Sequence, residues 1–355
     1  MDKPERPGPD PIPKAGAPAA WADERHMIAD LFAPLAKGLP GAFNLTEDAA
    51  CLMPPAGQSL VVSTDAVVAG VHLPEDADAF DVAWKSLAVN VSDIVAKGAT
   101  PNAYLMSLMV PHPLASVWME RFVVGLREAQ DHFGVALCGG DTDCPKSVSV
   151  PRFKVGITIF GHMHADHFVR RSTAQLGDRI LVTGLIGNAT LGLRLETEKA
   201  KCAKWPPLPP ADIEQALAAY RRPAPNVAIC SAVRSYATAS IDISDGLIKD
   251  VERLCHEFGH GADLTSTSVP IGAAARTLVE AGDITLQDLM TGGEDYCLAV
   301  TIPPQSVSAF QSAMHDAGAL AVEIGTVVGE DDGLVVRNTD GQPMTIKSTG
   351  WDYIG

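Results

Sequence analysis

The sequence predicts an α+β or α/β protein of two related-looking domains. Three observations carry this. Both halves contain the same succession of apolar strand, carboxylate-bearing turn and amphipathic helix. The chain has 355 residues, enough for one large or two medium domains with a sizeable core. Apolar residues make up 46% and charged residues 20%, the balance of a chain that buries a core rather than of a disordered one.

The N-terminus, MDKPERPGPDPIPKAGAPAA, is rich in Pro, Gly and Ala and has no apolar stretch of the signal-peptide kind. It reads as a disordered tail over 1–25, followed by domains at 26–167 and 168–355. Ser59 to Asp65 is a short apolar strand that stops in polar residues. Ala79 to Ala99 places Ala83, Leu87, Val91, Ile94 and Val95 on one face, which is helical spacing. A second helix over Ser116 to Phe133 carries Trp118, Phe122, Leu126, Ala129 and Phe133 on its stripe. Next come a strand, VALC, and a turn, GGDT. Phe153, Val155, Ile157 and Ile159 then alternate with Lys154, Gly156, Thr158 and Phe160, the pattern of a half-buried strand. The second half starts near Phe168. DRILVTG is a strand, and GLIGNATLGL is a glycine turn opening a helix. WPPLPP is a surface loop, and SIDISDG is a strand ending in acids. The helix that follows presents Leu247, Val251, Leu254, Cys255 and Phe258 on one buried face. Tyr296, Leu298, Val300 and Ile302 give one more alternating strand.

Charge narrows the function. Lys+Arg total 27 against 43 Asp+Glu, a formal net charge of -16, which repels nucleic-acid phosphate and anionic membrane. No run approaches the roughly 18 apolar residues of a membrane span. Seven cysteines without a CxxC pair read as reduced thiols of a cytoplasmic protein.

The informative feature is where the acids sit. Asp48, Asp65, Asp141, Asp143, Asp242 and Asp245 all lie at the ends of apolar segments or in glycine-containing turns, where ligands of α/β proteins bind. Asp93 joins them from a helix, on a polar stripe with Ser86, Asn90 and Lys97. Taken singly, each reads equally as a turn residue, a cap or a solvated helix face. Taken together they suit Mg²⁺, a hard cation that takes one or two carboxylates plus substrate phosphates. The turns GGDT, GLIGN and GGEDY leave backbone N–H groups open to an anion. There is no GxxxxGK[ST] and no GxGxxG after a strand, so neither a P-loop nor a Rossmann site is supported. HEFGH at 256–260 matches HExxH, but Gly259 and Gly261 read as helix stops, so it is no zinc site. His162, His164 and His167 follow a strand directly and read as strand-end or surface residues. No GxSxG and no His-paired Cys signature supports a nucleophile.

The segments TEDAACL, VVSTDAVVAGVHL, KSLAVNVSDIVAKGATP, GGDTD, GDRILVTGLIGNATLGL, RRPAPN, DISDGLIKD, TGGEDY and GWDYIG, in that order, resemble the thiamine-monophosphate kinases of the PurM-like (aminoimidazole-ribonucleotide-synthetase-like) superfamily. The resemblance runs from Asp30 to Asp352. It implies a PurM-like α+β fold, with an N-terminal α/β domain that forms a barrel in a homodimer, a C-terminal α/β domain, and ATP bound between the domains. It implies phosphorylation of thiamine monophosphate by ATP with Mg²⁺. The same resemblance gives Asp48, Ser63, Thr64, Asp65, Asp93, Asp141, Asp242 and Asp245 as metal ligands. Gly140, Asp141, Arg171 and Ser244 would contact ATP, and His72, Glu294 and Trp351 the thiamine substrate, with the Trp351 ring stacked on it. Asp65, Asp93, Asp141 and Arg171 form the implied catalytic set. Thr46-Glu47-Asp48 stands where the family has Gly-Asp-Asp, Ala69-Gly70-Val71-His72-Leu73 where it has acid-Gly-x-His-Phe, and Cys297 where an acid is common. Two alternatives remain beside this one: a related ATP-using enzyme with a different acceptor, and a nucleotide- and metal-binding module without turnover.

Overall fold

The alternation and helical stripes of the first half become one sheet and two long helices in a computed structural model that describes residues 21, 23–110, 116–145 and 152–351. The expected tail over 1–25 lies outside the described residues except for 21 and 23–25. Contacts divide the chain into two compact units, one of Met1–Met53, Thr64–Leu87 and Asn102–Ile159, the other of Pro54–Ser63, Ala88–Pro101 and Phe160–Gly355.

The first sheet contains β1 (Ser59–Val68), β2 (Thr100–Met109), β3 (Ala136–Asp143) and β4 (Lys154–Met163) in the order β1-β4-β2-β3. Strand β4 alternates as expected, with Val155, Ile157, Ile159 and Met163 buried. Strand β1 continues past Asp65 to Val68, so Asp65 stands within a strand rather than at its end. One face of the sheet carries α1 (Ala79–Ala96) and α2 (Ser116–Phe133). The Tyr104 hydroxyl of β2 donates to Gln130 of α2 at 2.7 Å, and Gln130 donates to the Leu35 carbonyl at 3.0 Å. On the other face Leu60, Val62 and Leu105 are exposed. No closed sheet occurs among the described residues, so the barrel expected from the resemblance is not seen in the single chain.

Three expectations need correction here. The polar stripe of α1 is not solvated: Ser86, Asn90 and Ser92 are buried along with Leu87, Val91, Ile94 and Val95. The helix also ends at Ala96 rather than Ala99, because Gly98 at φ 69° reverses the chain. The GGDT segment is no turn but part of β3, which pairs parallel with β2 (Met106↔Gly140, Ser107↔Asp141). A Cβ on Gly140 would stand 2.1 Å from the Met106 carbonyl oxygen. Close approach of two backbones, not chain reversal, is what that glycine permits.

The second sheet has six strands: β5 (Arg179–Val182), β6 (Ala239–Asp242), β7 (His260–Thr265), β8 (Leu298–Ile302), β9 (Val322–Gly329) and β10 (Leu334–Arg337), ordered β10-β7-β9-β5-β8-β6. Strand β8 does not alternate. It lies between β5 and β6, and all five of its residues are buried. Tyr296 falls outside it, in a loop at φ 48°. Helices α3 (Asn188–Thr197), α4 (Pro210–Arg221) and α5 (Leu247–Cys255) belong to this unit. The α5 stripe buries Leu247, Val251, Leu254 and Cys255 as its spacing predicts. Phe258, expected on the same face, is 39% exposed because the helix stops at Cys255 and Gly259, at φ 79°, turns the chain. The same stop separates His256 from His260, which opens β7, so the HExxH match has no helix to stand on. WPPLPP is a loop up to Pro209, and Pro210 opens α4. All seven cysteines are free thiols, Cys51 exposed and Cys138, Cys230 and Cys255 buried. Among the described residues no helix is long and apolar enough to cross a membrane.

Gly125 of α2 faces α1, where a Cβ would meet the Phe80 carbonyl oxygen at 2.5 Å and the Ala83 methyl at 3.0 Å. Gly125→Ala should therefore push the two helices apart and cost about 1–3 kcal/mol, despite the better helix propensity of alanine. A lower urea midpoint with an unchanged slope is the expected readout; a midpoint equal to or above wild type would show that the contact gives way freely.

Candidate functional site

The site is built on one carboxylate. Strand β6 ends at Asp242, and the chain then turns through Ile243 to Gly246 into α5. The N–H groups of Ser244, Asp245 and Gly246 all donate to Asp250 Oδ2, at 3.0, 3.0 and 3.2 Å. Asp250 is fully buried in the first turn of α5, where an acid satisfies unpaired donors and favours the helix dipole. Burial, and then the Asp245 charge, push its carboxyl up to about 6. Gly246 turns the corner at φ 127°, where a Cβ would crowd the Thr291 backbone at 3.0 Å, so any other residue there would be strained. Sequence reading singled out Asp242 and Asp245 and missed Asp250. The available signal was an acid four residues after a glycine at a predicted helix start.

Beside this turn the second unit opens a pocket of about 430 Å³ lined by Asp93, Lys97, Arg170, Arg171, Asp242 and Ser244, with Asp250, Arg253 and the rings of Phe168 and Phe258. Four of the expected site residues, Asp93, Arg171, Asp242 and Ser244, thus share one pocket. Asp93 accepts a hydrogen bond from Ser63, and Asp242 accepts one from Ser92 Oγ at 2.8 Å. Asp242 is pushed up to about 7 by burial and then by the charge of Asp93. Asp93 is raised as well, by burial, against the lowering effect of the Ser63 hydrogen bond and of Lys97. Lys97 donates to the Ser240 carbonyl at 2.9 Å; burial lowers its basicity while Asp242 and Asp93 support it. Two carboxylates held close with little water are short of positive charge. Lys97, Arg170 and Phe168 carried no signal in the motifs beyond the polar stripe of α1.

A second loop rests on the first. Glu294 N–H donates to the Ser244 carbonyl at 2.8 Å and Tyr296 N–H to the Ile243 carbonyl at 2.9 Å. Glu294 and Tyr296 hold positive φ of 68° and 48°, a strained backbone at a non-glycine position. Asp295 between them accepts the Gly187 N–H at 2.9 Å, capping the N-terminus of α3, and burial pushes its carboxyl up to about 7. Asp245 does not reach the pocket lining; it pairs with Arg253 at 2.7 Å and Lys249 at 3.3 Å. Trp351, 53% exposed, hangs on the same turn, its N–H donating to the Asp245 carbonyl at 2.9 Å.

The other expected residues belong to the first unit, except Ser63 on β1. Asp48 is exposed in a loop, and Asp65 and Asp141 are exposed on β1 and β3. Gly140 lies next to Asp141 in the same strand, and the Thr64 hydroxyl donates to the Ile157 carbonyl at 2.9 Å. His72 Nδ1 accepts the Val68 N–H at 3.1 Å, which places the neutral ring's proton on Nε2. Among the described residues no three His, Cys, Asp or Glu side chains converge on one point. The donors are nonetheless hard oxygens, and the Asp93–Asp242 pair has the excess negative charge that a divalent cation relieves.

Residues 46–163 match the AIR synthase related protein, N-terminal domain, and residues 175–337 the AIR synthase related protein, C-terminal domain. The chain is similar to the thiamine-monophosphate kinase of Salmonella typhimurium, 33% identical over 87% of this chain and 91% of that one. A crystal structure of thiamine-monophosphate kinase from Stenotrophomonas maltophilia K279a superposes with a TM-score of 0.74 at 33% identity, covering 84% of this chain and 91% of the other. The structure of AaThiL complexed with AMPPCP and TMP gives 0.71 at 28% identity, covering 86% and 91%.

The raised Asp242 carboxyl has a stability signature. An unfolded aspartate titrates near its ordinary value of about 3.9, whereas native Asp242 holds its proton up to about 7. Between those values the native state binds more protons than the unfolded one, so this group's contribution falls as pH rises through the window. Asp242→Asn removes the titration. In metal-free buffer its melting temperature minus that of wild type should grow by at least about 3 °C from pH 5 to pH 8. A difference that stays flat with pH would contradict the raised carboxyl.

Proposed function

We infer the reaction from the family to which the chain belongs: it is one of the thiamine-monophosphate kinases, built from the two AIR synthase related domains. It is a kinase that transfers a phosphoryl group from ATP to thiamine monophosphate, giving thiamine diphosphate and ADP. The 33% identity to such a kinase across an alignment covering 87% of the chain carries this conclusion. The pocket supports it, since it combines cationic side chains for phosphate with a carboxylate pair for a metal.

The acceptor is a phosphate oxygen, already anionic near neutral pH. No strong base is needed to activate it. The difficulty is to bring two anions together, so catalysis rests on positioning and charge neutralisation. Arg171, Arg170 and Lys97 would offset the negative charge of the ATP phosphates, with Ser244 as a hydrogen-bonding partner. Asp93 and Asp242 on one unit, and Asp65 and Asp141 on the other, would hold Mg²⁺ through one or two carboxylates per ion. Ser63 would join the first pair and Asp48 and Thr64 the second, with Gly140 as the close-approach position beside Asp141, whereas Asp245, held by Arg253 and Lys249, stands outside both. Bound Mg²⁺ offsets charge on the phosphate oxygens. His72 can donate from Nε2 to an anionic acceptor, and Glu294 and Trp351 would hold the cationic ring system, by charge and by stacking. The terminal phosphate oxygen of the acceptor forms a bond to the γ-phosphorus in line while the bond to ADP breaks, without a phosphoenzyme.

A homodimer fits the open face of the first sheet, where Leu60, Val62 and Leu105 are exposed. Pairing of two such faces would complete the barrel. Seven free thiols suit a reducing cytoplasm.

Incubation with ATP, Mg²⁺ and thiamine monophosphate should yield equimolar ADP and thiamine diphosphate. ADP without thiamine diphosphate would point to a different acceptor, and nucleotide binding without ADP to a module lacking turnover. Asp65→Asn should lower kcat by at least about 100-fold with an unchanged circular-dichroism spectrum. Full activity in that variant would remove Asp65 from the metal site. Label from γ-labelled ATP should not remain on acid-precipitated protein; a stable labelled band would overturn direct transfer.

A further inference from the structure

The segment that carries Trp351 has little apolar anchorage of its own. Met344 and Ile346 pack against the core of the six-stranded sheet, and Met344 N–H donates to the Val336 carbonyl at 2.7 Å. Beyond them, none of residues 347–351 is buried. What fixes this strap is a set of polar contacts to the start of α5. Lys249 N–H donates to the Thr349 carbonyl at 3.0 Å, and Trp351 N–H donates to the Asp245 carbonyl at 2.9 Å. The Lys249 ammonium donates to the Trp351 carbonyl and stands 3.3 Å from the Asp245 carboxylate. Gly350 lets the strap lie flat there, for a Cβ would come within 2.5 Å of the Asp245 carbonyl oxygen and 2.8 Å of Lys249 Cβ.

We propose that Lys249 is a positioning residue for the acceptor, its ammonium clamping the Trp351 carbonyl to the Asp245 carboxylate and so fixing where the exposed indole stands. This rests on the placement of Trp351 against the thiamine ring under Proposed function. The ammonium ties the strap's last described carbonyl to a charged group of the turn. Charge-assisted hydrogen bonds of this kind are stronger than the two backbone bonds beside it. Lys249 is not in the pocket lining, and Asp245 keeps its other partner, Arg253, at 2.7 Å. Loss of the ammonium therefore loosens the indole without stripping Asp245 of positive charge.

Lys249→Met and Lys249→Arg are compared with wild type in the full-length protein. The five tryptophans give five indole N–H signals in a ¹⁵N-correlated spectrum, and Trp351→Phe identifies the one from Trp351. In Lys249→Met that signal should broaden or move while the other four stay, which also shows that the variant is folded. The KM for thiamine monophosphate should rise about tenfold, with kcat and the KM for ATP within about twofold of wild type. Lys249→Arg, which keeps a cationic donor, should recover most of the loss. An unmoved Trp351 signal, or a parallel rise in KM for both substrates, overturns the clamp. If wild type makes no thiamine diphosphate, the assigned acceptor is wrong, and the indole signal alone still decides the clamp.

Discussion

The buried carboxylate of Asp250 is the constraint on which the site depends. Three successive N–H groups at the end of β6 have no strand or helix partner, and a single oxygen of Asp250 takes all three. Buried donors left without partners cost roughly 1–3 kcal/mol each, so the turn has one favourable shape. That shape directs Asp242 and Ser244 toward the pocket and leaves the carbonyls of Ile243, Ser244 and Asp245 facing outward. Those three carbonyls then receive Tyr296, Glu294 and Trp351. Residues more than 100 positions apart in sequence are thus referenced to one turn.

Electrostatics follow from the same turn. The net charge of -16 describes the whole chain, but the pocket in the second unit is mixed rather than acidic. Asp93 is raised by burial and Asp242 by burial and then by the Asp93 charge, while Arg170, Arg171, Lys97 and Arg253 line the same space. Asp93 and Asp242 would hold a divalent cation there, and its charge would favour an anion in the same space. The bulk charge discourages nucleic acid without preventing a small phosphate ester from binding locally.

Strand and helix periods made most of the elements legible in the sequence: α2 and β4 appear where their spacing places them, and α5 buries the stripe it should. The failures have a common cause, which is that context decides what a pattern means. GGDT has the composition of a turn, yet its glycines permit a parallel strand to approach Met106. Tyr296 to Ile302 looks alternating only while one assumes a solvent-facing side; between two neighbours β8 has none. In the site, motif order pointed to Asp93, Arg171, Asp242 and Ser244, which share a pocket. Asp250 and Lys249 lie inside the DISDGLIKD segment, but their contacts are to backbone, which the residue pattern does not display.

The division into units follows contacts, not sequence. The covalent chain crosses from one unit to the other at 53/54, in a loop, and inside β1, α1, β2 and β4, at 63/64, 87/88, 101/102 and 159/160. No single break in a loop can release either unit whole. A protease nick in one loop would leave the units covalently joined at the other crossings, and a fragment ending near residue 160 would stop inside β4 and present a cut β edge to other chains.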